Sequence, residues 1–127
     1  MNLEPLFIAR TEETPEVDFN PETGSLKLSG RSLPEDAFSF YRPLIDWLRT
    51  YVQNLAPHTM VHINLDYFNS SSGRYLMEVF AIIDRECHHC ADKINIVWSA
   101  EKDDEVMLEK GAEFKSLLNL PFHIQEF

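Results

Sequence analysis

Three consecutive hydroxyl side chains stand where a strand pattern gives way to a helix pattern. Positions 69–73 read Asn-Ser-Ser-Ser-Gly, after the alternation of Val61 to Tyr67 and before an apolar repeat of three and four residues. Ser and Asn commonly cap a helix here, because their oxygens accept hydrogen bonds from the free N–H groups of the first turn. The same N–H groups favour an added anion, so a phosphate on Ser70 or Ser71 is tolerated. Capping and phosphate acceptance are both compatible with the sequence.

A second set of polar residues has the composition of a hydrolase site. His62, Asp66 and Ser70 are the residue types of a catalytic triad. His62 and Asp66 are nevertheless about 13 Å apart along an extended strand, at roughly 3.3 Å per residue, which is too far for a hydrogen bond. The sequence also lacks a Gly-x-Ser-x-Gly elbow and a glycine-rich phosphate loop. No catalytic residue is predicted, and the chain is not expected to be an enzyme.

The segment at positions 87–90 reads Cys-His-His-Cys and has the ligand types of a metal site. Cysteines three residues apart share one face of a helix, but a closed zinc site usually takes four ligands and the sequence has no second cysteine pair. Cys87 and Cys90 also continue an apolar stripe of Leu76, Phe80 and Ile83, where free Cys packs as a small hydrophobe. Core packing is therefore predicted, with no metal or cofactor, and metal or redox use is the alternative.

Hydrophobic periodicity predicts the elements that hold the serine turn. Val61 to Tyr67 is a predicted strand, and the helix after the turn is predicted to run to Cys90. Three further segments alternate as strands do: Ser25–Gly30, Lys93–Ser99 and the region of Phe122 and Ile124. Leu6–Ala9 and Glu16–Phe19 are predicted as edge strands or an extended lead-in, joined to the next strand by a turn at positions 20–24.

Two more helices are predicted from start signals. Ser32 and Glu35 have the spacing of a capping box, with Pro34 in the first turn, and an apolar face that includes Phe38 follows. Pro43 is expected to bend that helix and divide it into a lead-in and a main body. The acidic residues at positions 101–105 favour the start of a last helix.

Alternating rather than continuously apolar strands predict a sheet with one face under helices and the other partly wet. The unit from Met60 to Ser99 is expected to form a right-handed crossover between parallel strands, with the N-terminal hairpin adding antiparallel pairs. The predicted fold is a single α/β domain over residues 1–127, with a mixed sheet of four or five strands and about three helices mainly on one face.

Composition excludes several classes of partner. The chain carries 21 acidic and 11 basic side chains, a net charge of −10, and no Lys/Arg cluster, so neither nucleic acid nor an anionic membrane is expected to bind it. No apolar run approaches the roughly 20 residues of a membrane span, and the N-terminus has no signal-peptide pattern. A cytoplasmic location is predicted, with free thiols at the two cysteines.

Several separated motifs resemble one family. They are Ser-x-Pro-Glu at 32–35, Phe-Tyr-x-Pro-Leu-x-x-Trp at 40–47, Tyr-Phe-Asn-Ser-Ser-Ser at 67–72, Trp98, and Asp-Asp-Glu-x-Met-x-Glu-x-Gly at 103–111. In this order they are similar to the SiaC family of bacterial regulatory phosphoproteins, over about residues 24–122. That family resembles the STAS fold of anti-sigma factor antagonists, so a STAS-like fold is expected.

The resemblance implies a partner-switching protein. It implies phosphorylation by a cognate serine/threonine kinase, dephosphorylation by a metal-dependent phosphatase, and activation of a diguanylate cyclase by the unmodified form. The output would be c-di-GMP signalling in the control of biofilm formation and aggregation. The alternative is a STAS-type anti-sigma factor antagonist, whose output is transcription.

The resemblance also assigns residues. The family's acceptor is typically a threonine directly after the asparagine, which corresponds to Ser70, with Ser71 as the runner-up. The surface read by a partner is expected to comprise five residues: Phe68, Asn69, Ser71, Ser72 and Arg74. The sequence departs from the family pattern in having serine as the acceptor, and in having Gly73 and Arg74 where Ser and Lys are more common.

Overall fold

The computed structural model describes residues 3–127, except the side chains at positions 88, 89 and 91. Within that range six strands form one sheet and three α-helices pack against it. The strands are β1 (Leu6–Ile8), β2 (Glu16–Asn20), β3 (Ser25–Ser32), β4 (Thr59–Phe68), β5 (Ile94–Ala100) and β6 (Phe122–Glu126). The helices are α1 (Ala37–Tyr51), α2 (Ser70–Cys87) and α3 (Glu105–Leu117), and a 3-10 segment (His88–Lys93) follows α2.

The strands lie side by side in chain order, β1 to β6. The pairs β1–β2 and β2–β3 are antiparallel, and β3–β4, β4–β5 and β5–β6 are parallel. The predicted hairpin is present between β2 and β3. Its turn is closed by the Gly24 amide, which donates to the Asn20 carbonyl at 3.0 Å, and Gly24 has the left-handed φ of 74° that glycine permits.

The three helices cover one face of the sheet. Along β4 the side chains of Val61, Ile63 and Leu65 are buried and those of Met60 and Asp66 are exposed, as alternation predicted. A helix connects the two strands of each parallel pair, and each connection moves to the next strand in the same direction across the sheet. Because such connections are right-handed, all three helices lie on the same face of the sheet. The buried side chains of all three helices belong to one hydrophobic cluster with those of the strands.

The predicted α/β class and mixed sheet are confirmed, and the sheet has six strands rather than four or five. Both N-terminal segments pair, which supplies the additional strand. Leu6 to Ile8 pairs with β2, and β2 buries Val17 and Phe19 against the core, where the Phe19 ring lies 5.2 Å from that of Trp47. The Trp47 indole N–H also donates to the Glu4 carbonyl at 2.7 Å, which holds the lead-in against α1.

The start of α1 differs from the prediction. Its N-cap is Asp36, whose carboxylate accepts from the Ser39 amide at 3.2 Å, whereas Ser32 is the last residue of β3 and is fully buried. Phe38, predicted on the buried face, is 51% exposed. Pro43 lies inside a single continuous helix, because the loss of one hydrogen bond is offset by the buried face on either side of it. The capping-box pattern therefore misplaced the helix start by about one turn, within the usual uncertainty of element boundaries.

Candidate functional site

Asn69 links β4 to α2 and caps the helix. Its side-chain oxygen accepts from the Ser72 amide at 2.9 Å, and its carbonyl accepts from the Gly73 amide at 2.9 Å. Asn69 therefore holds the N-cap position, and Ser70, Ser71 and Ser72 are the first three helical residues. Capping, predicted as one role for the serines, is performed by the asparagine.

Ser70 and Ser71 are both exposed at the surface. Within residues 3–127, neither their hydroxyls nor their amides make a hydrogen bond. Free amides of this kind are general for the first positions of a helix, and they carry the positive end of its dipole. Two hydroxyls and two unpaired N–H groups are therefore presented to solvent, next to one another.

Ser72 differs from its neighbours because its side chain is fully buried. Its hydroxyl donates to the Ser32 carbonyl at 2.9 Å and accepts from the Ser32 hydroxyl at 2.8 Å. The Ser32 hydroxyl also lies 2.5 Å from the Tyr41 phenol oxygen. These contacts join β3, α1 and α2 directly beneath the turn. No sequence pattern predicts these contacts, since Ser32 matched a helix cap and Tyr41 matched the apolar face of a helix.

Phe68 and Gly73 determine how closely α2 approaches the strand end. The half-buried Phe68 ring lies 5.9 Å from the Trp98 ring, edge to face, and 6.1 Å from that of Phe114. A Cβ atom on Gly73 would lie 3.0 Å from the Phe68 ring, closer than ordinary van der Waals contact. Glycine at position 73 therefore lets the first turn of α2 rest on the aromatic ring.

Arg74 is the cation nearest in sequence to the exposed serines. It is exposed and, among the residues that the structure describes, it makes no ion pair. Ser70 and Arg74 are four residues apart on α2 and so lie on one face, with the longer side chain inclined toward the helix N-terminus. A negative group on Ser70 would stand within one helical turn of this guanidinium.

Acidic side chains collect at the neighbouring strand ends. Asp66, Glu101 and Asp104 line a small cavity of about 160 Å³ beside the carboxyl end of β4. Asp104 also caps α3 by accepting from the Met107 amide at 3.1 Å, and Asp66 pairs with Arg10 at 3.5 Å. Among the described side chains, no group of three or more His, Cys, Asp or Glu is placed to hold a metal ion.

The structure does not assemble the triad considered for a hydrolase. The His62 Nε2 atom lies 2.9 Å from the buried Ser99 hydroxyl on the face of the sheet opposite the helices. Burial lowers the pKa of His62, and Lys27 lowers it further. Asp66 is instead paired with Arg10, so neither residue is bonded to Ser70.

The cysteines lie in different elements. Cys87 is the last residue of α2 and is fully buried, whereas Cys90 falls in the 3-10 segment with non-helical φ and ψ of −129° and 36°. The expected shared helix face is therefore absent, because α2 ends before Cys90. Burial raises the pKa of the Cys87 thiol to about 12, with Cys90 contributing to the rise, so the thiol is protonated at neutral pH. The side chains of His88 and His89 lie outside the described residues.

No helix within residues 3–127 is both long enough and apolar enough to cross a bilayer.

Comparison with known proteins relates nearly the whole chain to one protein family. Residues 8–127 match the model of a family described as SiaC family regulatory phosphoprotein. A protein of Pseudomonas aeruginosa strain UCBPP-PA14, described as uncharacterized, is 26% identical over 120 residues, which cover 94% of each chain.

Two solved structures from P. aeruginosa show the same fold. SiaC is 23% identical, with a TM-score of 0.86 over 98% of this chain and 99% of that chain. The structure of the diguanylate cyclase SiaD in complex with its activator SiaC contains a chain that is 24% identical, with a TM-score of 0.89 over 96% of this chain and 99% of that chain. The fold of this chain is therefore shared with chains of known structure.

Proposed function

The chain belongs to the SiaC family of regulatory phosphoproteins, and we propose that it is a partner switch controlled by one phosphate on Ser70. It is a regulatory protein rather than an enzyme. In this proposal a cognate serine/threonine kinase adds the phosphate and a metal-dependent phosphatase removes it. The unmodified form binds and activates a diguanylate cyclase, which places the protein in cytoplasmic c-di-GMP signalling and in the control of biofilm formation and aggregation.

The observation that carries the proposal is the position of the Ser70 hydroxyl. It is exposed, it makes no hydrogen bond within residues 3–127, and its own amide and that of Ser71 are unpaired. A phosphate there would accept from free N–H groups and stand one helical turn from Arg74. The helix is already capped by Asn69, so modification would not remove a contact on which the fold depends.

Ser71 remains the runner-up acceptor. It shares the exposure of Ser70, and Arg74, three positions later, lies on the same side of the helix, so the nearby cation does not distinguish the two hydroxyls. Ser72 is excluded as a direct acceptor in this conformation because its hydroxyl is buried and bonded on both sides. Burial therefore argues against Ser72, and Ser70 is proposed over Ser71 because the acceptor in the family typically follows the asparagine directly.

The proposed partner surface surrounds this hydroxyl. Phe68, Asn69, Ser71 and Arg74 are exposed or half-buried and are available to a partner, whereas Ser72 is proposed to act from the interior by holding the turn in place. A diguanylate cyclase is proposed as the partner because a structurally similar SiaC was solved in complex with the cyclase that it activates. An anti-sigma factor is the alternative partner.

Phosphosite mapping tests the proposal. The chain is co-expressed with the serine/threonine kinase encoded nearest to its gene, and the phosphate is located by mass spectrometry on intact protein and peptides. One phosphate is expected on wild type and on Ser71→Ala, and none on Ser70→Ala, because Ser70 is the proposed acceptor. Phosphate retained on Ser70→Ala, or located outside positions 70–72, contradicts the assignment.

A further inference from the structure

Three fully buried hydroxyls lie beneath the exposed serines, and each comes from a different element. Ser32 ends β3, Tyr41 lies in the second turn of α1, and Ser72 lies in the first turn of α2. The Tyr41 phenol oxygen is 2.5 Å from the Ser32 hydroxyl, which is 2.8 Å from the Ser72 hydroxyl. No other group of hydroxyls in the described part of the chain links three elements in this way.

The direction of each hydrogen bond follows from the number of protons. Ser72 donates its hydroxyl proton to the Ser32 carbonyl, and Ser32 donates its own to the Ser72 hydroxyl. The remaining contact can then be made only if Tyr41 donates to Ser32. Burial raises the pKa of Tyr41, so the phenol keeps the proton that it donates. Every hydroxyl proton in the group is therefore used.

Ser32 is hydrogen-bonded to the residues on both sides of the exposed serines, Asn69 and Ser72. Its carbonyl accepts from the Asn69 amide at 3.0 Å and from the Ser72 hydroxyl at 2.9 Å. Ser70 and Ser71 lie between these two fixed points. Their backbone is thus set by the end of β3, and the orientation of Ser32 is set in turn by Tyr41.

We propose that Ser32, Tyr41 and Ser72 are positioning residues for the phosphorylation of Ser70. They touch neither the phosphate nor the kinase. They hold the acceptor turn in one orientation, so that the Ser70 hydroxyl meets an incoming phosphoryl donor in line. The inference rests on the proposed function of Ser70. Apolar side chains of similar size would fill the same space and would need no hydrogen-bond partners. A network in which every hydroxyl is hydrogen-bonded instead specifies one relative arrangement of the three elements that it joins.

Tyr51 supplies a matched control in the same helix. Its phenol is also buried, lies 2.7 Å from the Thr59 hydroxyl and accepts from the Ala56 amide at 3.3 Å, at the end of α1 far from the serine turn. Tyr41→Phe and Tyr51→Phe each remove one buried phenol hydroxyl and keep the ring. A general loss of stability affects both variants, whereas loss of positioning affects only the first.

The test compares steady-state phosphorylation of the variants by the kinase that modifies the wild type. We expect kcat for Tyr41→Phe to fall by about tenfold or more, because a small misplacement of a reacting group has large effects on rate, while KM changes little. Tyr51→Phe is expected to match the wild type, and both variants are checked for folding by thermal unfolding. Equal kcat values for the two folded variants overturn the inference.

A second variant decides the question if Tyr41→Phe does not fold. Ser72→Ala breaks the same network on α2 and is expected to lower kcat to a similar extent; unchanged kcat contradicts the inference.

Where both single variants fold, the kcat of the double variant should fall by no more than the larger of the two single effects, because both substitutions act through one network. Multiplied losses contradict a shared network. Wild type without phosphate on Ser70 overturns the proposed function and this inference together, whereas a phosphorylated wild type with unchanged variants overturns this inference alone.

Discussion

At the scale of the residue, the four positions from Asn69 to Ser72 have three different roles, although three of the four are serine. Asn69 caps α2, Ser70 and Ser71 present free hydroxyls and amides, and Ser72 is bonded in the interior. The division follows from the helix geometry, since the third residue of a first turn points inward here while the first two point to solvent. The proposed phosphate on Ser70 would therefore leave the cap in place.

Asn69→Ala tests this division of tasks. We expect the free energy of unfolding to fall by about 1 kcal/mol, since the Ser72 amide loses its acceptor. Ser70→Ala is expected to lie within about 0.5 kcal/mol of the wild type, because an exposed hydroxyl without partners stabilises nothing in the fold. Urea unfolding with unchanged m-values provides both numbers. A larger loss for Ser70→Ala than for Asn69→Ala would show that the serine is the cap.

At the scale of the element, α3 supports the site through Trp98 of β5. The Trp98 indole N–H donates to the Met107 carbonyl at 2.9 Å, and its ring lies edge to face with that of Phe68 at 5.9 Å. A Cβ atom on Gly111 would lie 2.5 Å from Trp98 Cδ1. Glycine in α3 therefore lets this helix approach the sheet closely enough to fix the aromatic side chain under the serine turn.

Gly111→Ala has two opposing effects on the free energy of unfolding, and their relative sizes decide whether the protein is stabilised or destabilised. Alanine raises helix propensity by about 1 kcal/mol, but its methyl group overlaps Trp98, and overpacking of this kind typically costs about 1–3 kcal/mol. We expect a net loss of stability, accompanied by a change in tryptophan fluorescence as the Trp98 ring shifts.

Ala112→Gly is the control for Gly111→Ala, since the neighbouring position is exposed. It should lose about 1 kcal/mol by propensity alone and leave the fluorescence unchanged. If Gly111→Ala instead gained stability by a similar amount, the close contact with Trp98 would not constrain α3.

The sequence was sufficient to predict most of the elements but not the contacts between them. Alternation located β3, β4, β5 and β6 to within a few residues, and the strand-to-helix change placed the serine turn, because these patterns depend on residues near one another in the chain. The bonds among Ser32, Tyr41 and Ser72 join positions up to 40 apart in the sequence. No local pattern encodes such contacts, and the best local interpretation of Ser32, a helix cap, was wrong.

At the scale of the whole molecule, the parallel arrangement of β3 to β6 explains why the site lies at one edge of the sheet. The carboxyl ends of β3, β4, β5 and β6 meet at one edge of the sheet, which brings Ser32, the serine turn and the start of α3 together. Sites in open α/β sheets are commonly found at this edge. With a net charge of −10, an added phosphate would increase the repulsion of an acidic partner, and Arg74 is the cation nearest in sequence to the added charge.

The measurement that tests the central claim most directly is calorimetric titration of the diguanylate cyclase with two forms of the protein. One form is unmodified and the other carries one phosphate on Ser70, placed there by the kinase. An interface fitted to a neutral hydroxyl would have to bury about two negative charges, and a cost of about 4 kcal/mol corresponds to roughly a thousandfold loss of affinity. Ser70→Ala is expected to bind like the unmodified form. Equal affinities for the two forms, both folded by circular dichroism, would contradict the account.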